Sequence, residues 1–158
     1  MRGHEQVVSL LNDVLTAELT AINQYFIHYR MCENWGYQRL WKRLREESLG
    51  EMKHADKLIE RILFLEGVPN VQRLGKVNVG ETVPEQLRLD LELERNAIRA
   101  LNSGIELARS LGDNGSRDLL EDILEAEERH ANWIEAQMTL IAQTGEGNYL
   151  AQQIKDDE

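Results

Sequence analysis

Cysteine occurs once in this chain, at Cys32. A lone thiol can neither close an intrachain disulfide nor build a zinc or iron–sulfur site, so the composition fits a reducing compartment, by default the cytoplasm. Basic residues are in the minority, 18 against 28 acidic ones, and the formal net charge is -10. That balance argues against phosphate-backbone binding, so nucleic acid is not an expected partner, and it favours attraction of cations. Acidity alone says little about metals, because many proteins are acidic for solubility. No apolar run long enough for a signal-peptide core or a membrane span precedes the first amphipathic pattern, so no membrane association is expected. With 158 residues the chain is long enough to bury a core unaided, and residues 1–158 are read as a single domain.

Proline is also scarce, at Pro69 and Pro84 only, and the glycines gather near 36, 67–80, 112–115 and 145–147. These breaks leave four long segments with helical period. The first carries Leu11, Leu15, Glu18, Ile22, Tyr25 and Tyr29 at steps of three and four. The second carries Leu40, Leu44, Glu47, Glu51, His54, Leu58 and Leu65. The third carries Leu87, Leu91, Glu94, Ile98, Leu101, Ile105 and Ala108, and the fourth Leu120, Ile123, Glu127, His130, Ile134, Gln137 and Ile141. The breaks at Trp35-Gly36 and at Gly112-Asp113-Asn114-Gly115 are short, which makes helices one and two, and three and four, antiparallel neighbours. The stretch from Glu66 to Val83 has no sustained helical period, and Pro84 reads as a first-turn proline. A connection that long suits a crossover running the length of a bundle. The expected fold is all-α: a ferritin-like antiparallel four-helix bundle with one long crossover between helices two and three, and a short fifth C-terminal helix over Asn148 to Ile154.

Each apolar stripe is interrupted by polar residues at matched places. Glu51 follows Glu18, and Glu127 follows Glu94, by the same 33 positions, and His54 and His130 each come three residues after the second glutamate. The offset from Glu18 to Glu94 is repeated from Glu51 to Glu127 and from His54 to His130, 76 positions each time. A Glu-x-x-His step sets a carboxylate and an imidazole on one helix face about a turn apart, within reach of one metal. One such step in an acidic chain means little, since a core-facing histidine is more often a hydrogen-bonded core residue. The doubled constellation makes Glu18, Glu51, His54, Glu94, Glu127 and His130 candidate metal ligands. Energetics point the same way, because four buried carboxylates without counter-charge would cost several kcal/mol apiece or be forced to protonate. Two divalent cations would balance them, with two neutral imidazoles completing the shells. Iron, manganese and zinc all suit such donors. Because a metal requires those imidazoles neutral and carboxylates ionised, occupancy is expected to fall below about pH 6. Glu47, on or beside the same stripe and without a counterpart in the other half, is read as supporting the ligands or as an inner-surface residue.

A glutamate from each of two helices with Glu-x-x-His from each of the other two resembles the ligand set of the ferritin-like di-iron carboxylate proteins. Within them the chain resembles the bacterioferritins almost end to end, through N-Q-Y-F at 23–26, E-M-K-H-A-D at 51–56, R-I-L-F-L-E-G at 61–67 and N-Y-L at 148–150. The resemblance implies a ferroxidase for iron storage, in which the six residues bind two iron ions per subunit, with Glu51 and Glu127 at the bridging positions. Fe(II) is oxidised there by oxygen or hydrogen peroxide, and ferric mineral collects inside a hollow homo-oligomer, a 24-mer built from two-fold dimers. It also implies that Met52 and its twin in a second subunit ligate a b-type haem, which assists iron release with electrons from a ferredoxin. Leu19, Phe26, Leu49 and Ile59 would surround that haem.

Some positions depart from patterns found in that family. Glu46 and Gly50 stand where some members carry a histidine and an aspartate of an internal iron site, Leu58 stands where some have a redox tyrosine, and Asn132 replaces a pore aspartate. Tyr25, Trp133, Asn34 and Glu66 are retained. The alternatives are a haem-free ferritin, or another di-iron carboxylate oxidase or peroxidase. A rubrerythrin-like peroxidase would normally bring a cysteine-rich domain, for which one cysteine is too few.

Overall fold

The computed structural model describes residues 1–155; Asp156, Asp157 and Glu158 lie outside the described residues. Four long helices form, α1 (Glu5–Trp35), α2 (Gln38–Phe64), α3 (Val83–Ser110) and α4 (Asn114–Thr144), followed by a short α5 (Glu146–Gln153). The fold class is therefore the expected one, with no strand among the described residues. Helix α1 packs chiefly on α2 and α3 chiefly on α4, while α1 against α3 and α2 against α4 close the bundle. No helix is long and apolar enough to cross a membrane.

Local chemistry explains the ends. Gly36 closes α1 in the left-handed region, φ 87°, a conformation that costs glycine little. Thr82 caps α3 by accepting from the Glu85 backbone amide at 3.3 Å, with Pro84 in the first turn as expected. Asp113 caps α4 by accepting from the Ser116 amide at 3.0 Å. The second short break is thus tighter than its glycines suggest, since Gly115 lies inside α4. A Cβ there would meet the Arg61 guanidinium at 2.6 Å, so a larger residue would displace it. That guanidinium joins α2 to the α4 cap, reaching Asp113 at 2.8 Å and Ser116 at 3.0 Å.

The crossover runs the length of the bundle against α1, where a polar stripe spaced by four residues receives it. Asn12 donates to the Val68 carbonyl at 3.1 Å and accepts from the Asn70 amide at 2.7 Å. Thr16 accepts from Arg73 at 2.9 Å, and Thr20 from the Gly75 amide at 2.9 Å. Gln24 accepts from the Asn78 amide at 3.1 Å, and His28 from the Gly80 amide at 3.0 Å. An extended segment without a ladder of its own thereby has its amides satisfied by side chains. Helix α1 consequently buries more than one face: Thr20, Gln24, His28 and Cys32 are buried beside Leu11, Leu15 and Tyr25, whereas Ile22 and Tyr29 of the expected stripe are only partly buried.

The apolar core comes in two parts. One gathers Leu11, Leu15, Ala55, Leu58, Leu101, Leu120 and Ile123. The other gathers Leu40, Leu44, Leu87, Leu91, Ala131 and Ile134, with Tyr149 of α5 sealing its end. Between them on every long helix falls one glutamate of the doubled pattern: Glu18, Glu51, Glu94 and Glu127.

Helix α2 ends less comfortably than α1. Gly67 donates to the Ile62 carbonyl at 2.9 Å, so the left-handed position falls one residue earlier, on Glu66 with φ 62°. A non-glycine residue pays about 1–2 kcal/mol for that conformation, and glycine's extra freedom in the unfolded chain offsets about 0.4–1 kcal/mol of the relief. Glu66→Gly is therefore expected to stabilise the protein by up to about 1 kcal/mol, roughly 2–4 °C in melting temperature. A melting temperature that stayed level or fell would contradict the strain.

Candidate metal centre

The six residues singled out by spacing converge in the polar layer between the two apolar clusters. Glu18, Glu51, Glu94, Glu127 and His130 are all buried, with at most 3% of their surface exposed. The His54 side chain is 18% exposed and forms the open edge. One ligand atom each from Glu18, Glu51, His54 and Glu127 lie within 4.8 Å of one another, and so do one each from Glu51, Glu94 and His130. The two sets share Glu51. Glu127 belongs to the first set only, although it lies against Glu94.

The chain folds this way locally because each carboxylate takes a core-facing position of its helix, and the short turns then bring the hairpin partners level. Within the layer the imidazoles stand among the acids. His54 Nδ1 is 3.3 Å from Glu127, 3.4 Å from Glu51 and 3.5 Å from Glu18. His130 Nδ1 is 2.9 Å from Glu94 and 3.6 Å from Glu47. Glu47 is in turn held by Arg43 Nε at 2.9 Å, which places its carboxylate beside the His130 ring. The Tyr25 hydroxyl donates to Glu94, and the Tyr25 ring meets His130 edge-on at 5.0 Å. Trp133 stacks along the far side of His130 at 6.1 Å.

Burial dominates the electrostatics. It raises the carboxyls of Glu18, Glu94 and Glu127 above the usual range, and for Glu94 the adjacent Glu127 adds to the effect. Burial by itself would lower His54, but the Glu127 and Glu18 carboxylates outweigh it and raise the imidazole to about 9. His130 is likewise raised, burial being overcome mainly by Glu94. Burial, with Glu94 next, pushes the Tyr25 phenol well up, so it stays a hydrogen-bond donor. Protons on these groups supply the positive charge the carboxylates require. They do not satisfy every atom: Glu18 Oε2, Glu94 Oε2, Glu127 Oε1 and His130 Nε2 are buried without a hydrogen-bond partner. Orphaned oxygens and an imidazole nitrogen converging in one layer are the donor set of a divalent first-row metal, so the residues fit two such ions.

Comparison with known proteins decides the family. A family model described as a ferritin-like domain matches residues 8–144. The chain is 47% identical over 152 residues to a bacterioferritin of Mycobacterium leprae, covering 96% of each. It is 48% identical over 155 residues to a bacterial ferritin of Pseudomonas aeruginosa, covering 98% of this chain and all of the relative, and 45% identical over 158 residues to a bacterioferritin of Streptomyces coelicolor, covering all of this chain and 95% of the relative. The chain belongs to the bacterioferritins, within the ferritin-like family.

In this bacterioferritin the departing positions are spread out. Leu58 is fully buried in the first apolar cluster, while Glu46 and Asn132 are exposed. Met52 lies outside the centre, 53% exposed on α2, with exposed Leu49 one turn before it and Phe26 exposed on α1. Sequence reasoning missed a second buried polar group beside the centre. His28 Nδ1 donates to Asp90 Oδ1 at 2.9 Å and Gln24 donates to the same oxygen at 2.9 Å, with His28, Gln24 and Asp90 all fully buried. The step of four from Asn12 through His28 was the available signal.

The sign of the pH dependence follows from the raised values. A group whose pKa is higher folded than unfolded contributes stability below its unfolded value, and that stability is lost as pH rises through the folded value. The carboxyls and His54 act in the same direction, so the metal-free protein is expected to lose melting temperature from pH 6 to pH 9.5, with the last part centred on about 9. Divalent metal must displace these protons, so its affinity should climb over the same interval, well above the pH 6 boundary that unperturbed histidines imply. Melting curves and anaerobic Fe(II) titrations across that range test both. PH-independent affinity above pH 7 would contradict the proton count at His54.

Proposed function

We propose that the chain is an iron-storage ferroxidase whose Glu18, Glu51, His54, Glu94, Glu127 and His130 bind two Fe(II) ions as substrate. The observation that carries this reading is the pair of ligand sets sharing Glu51 in a buried layer with orphaned donor atoms. Relatives named bacterioferritin over almost the whole chain support it. Iron bound there gives up one electron per ion to oxygen or hydrogen peroxide and leaves as Fe(III) for storage as mineral.

The protein's own part is positional. Glu51 holds both metal positions at a fixed spacing, and the short hairpins keep the four carboxylates level without reorganisation. His54 at the partly exposed edge is the ligand through which ions and protons exchange with solvent. Tyr25 restrains Glu94 by its hydroxyl, and Glu47 restrains the His130 ring, so both terminal ligands keep their orientation as charge changes. Storage itself belongs to an assembly, a hollow 24-mer of two-fold dimers in the cytoplasm, since one bundle has no interior space for mineral.

Met52 would suit a haem ligand on a dimer face: its side chain is exposed, next in sequence to the buried Glu51, with Leu49 and Phe26 exposed nearby. A b-type haem held between Met52 and its twin would carry electrons inward for iron release, supplied by a small ferredoxin-type donor. Met52 and Glu51 serve different sites, so the two functions should separate.

Stopped-flow oxidation at about two Fe(II) per subunit tests the centre. Glu18→Ala and Glu94→Ala are expected to remove the rapid phase and leave the helical assembly intact, because each deletes a ligand and relieves a buried carboxylate. Unchanged rates would remove these residues from the centre. Met52→Leu is expected to lose most haem absorbance while retaining Fe(II) oxidation, since one substitution would remove the thioether from both subunits. Normal haem in that variant would assign the ligand elsewhere, whereas oxidation with no haem in either protein would favour a haem-free ferritin.

A further inference from the structure

The two halves of the centre carry matching ligands, yet their imidazoles are held differently. His54 is partly exposed, and its Nδ1 faces only Glu18, Glu51 and Glu127. Among the described residues no aromatic ring pairs with it. His130 is buried and meets two rings, Tyr25 edge-on at 5.0 Å and Trp133 nearly parallel at 6.1 Å. Its Nδ1 faces Glu94 at 2.9 Å and also Glu47 at 3.6 Å. The offset of 76 positions that relates the two halves carries Trp133 onto Lys57, Glu47 onto Ile123 and Arg43 onto Leu119. Lys57 is exposed, and the other two are apolar, so the repeat is broken at the residues that support His130.

Arg43 joins these supports. Its Nε donates to Glu47 at 2.9 Å, and its guanidinium lies 4.5 Å over the Trp133 ring. An Arg–Glu pair four residues apart on a helix surface contributes little by itself. This pair differs because both partners of Arg43, Glu47 on α2 and Trp133 on α4, are neighbours of His130. We propose that Arg43 is a positioning residue: through Glu47 and Trp133 it keeps the His130 imidazole turned with Nδ1 toward Glu94, whereas His54 has no such support. The inference deepens the metal-centre reading and rests on it for its consequence. The metal position of Glu51, Glu94 and His130 then depends on a side chain that never touches metal, and the position of Glu18, Glu51, His54 and Glu127 does not. Charge alone gives the opposite expectation, since a nearby cation weakens the binding of another and its removal would tighten both positions. Lysine is no replacement, because only a planar guanidinium covers an indole face while donating sideways from Nε.

Two measurements on the metal-free, full-length assembly test this: anaerobic titration with Co(II), and a crystal structure of each variant. The expected result is two Co(II) per subunit in the unmodified protein, with one of them weakened about 10–100-fold in Arg43→Gln and in Arg43→Lys and the other unchanged within about twofold. Arg45→Gln removes a positive charge from the exposed side of the same helix and should weaken neither position. In crystals of Arg43→Gln, His130 should take more than one orientation while His54 keeps its own. Tighter binding at both positions, or full affinity in Arg43→Lys, would overturn the proposal in favour of a charge effect. Equal weakening of both positions with a lowered melting temperature would overturn it in favour of general loosening. The orientation of His130 needs no metal, so a single ordered His130 in Arg43→Gln overturns the inference whatever Co(II) does. Failure of the unmodified protein to bind Co(II), with His130 disordered only in the Arg43 variants, would instead count against the metal centre and support the role of Arg43.

Discussion

Four carboxylates set in the middle of a helical bundle dictate much of what surrounds them. Each would cost several kcal/mol if buried charged and alone, so the layer is stable only with positive charge inside it. His54 and His130 supply that charge as imidazolium ions when nothing else does, and the raised carboxyls of Glu18, Glu94 and Glu127 take up the rest as protons. Divalent metal ions would do the same work with twice the charge each, while satisfying the oxygens and the nitrogen that protons leave without partners. A layer costly to the empty fold is in this way made selective for cations.

The rest of the molecule protects that layer. Apolar clusters on either side exclude water and raise the strength of every interaction within it. The crossover, tied amide by amide to the polar stripe of α1, carries the chain from the end of α2 back to the start of α3, which makes those two helices parallel and puts all four glutamates at one level. His28, Gln24 and Asp90 anchor its last residues next to the site, so the connection is part of the support rather than a loose strap.

Much of this was legible in the chain itself. Steps of three and four, interrupted at matched places, located the four helices and the six polar residues, because a core position occupied by a charge is visible wherever the neighbouring positions are apolar. The long gap from Glu66 to Val83 identified the crossover, since no helical period runs through it. Other features were hidden. The stripe from Asn12 to His28 went unread, because most of its partners are backbone amides, which leave no trace in side-chain pattern. Gly115 read as a loop residue, whereas its small size answers to Arg61 from another helix. The left-handed residue after α2 is Glu66 rather than the adjacent Gly67, which lies tight against Val8 and Ile62, and no sequence pattern marks it. The raised value of His54 depends on three helices meeting, which spacing alone does not quantify.

The central claim is that the buried layer holds two metal ions that share Glu51. Crystals soaked anaerobically with Fe(II) and measured on both sides of the iron absorption edge test it most directly. The account predicts two anomalous peaks in each bundle, one among Glu18, Glu51, His54 and Glu127 and one among Glu51, Glu94 and His130. A single peak, or iron bound only outside this layer, would contradict it.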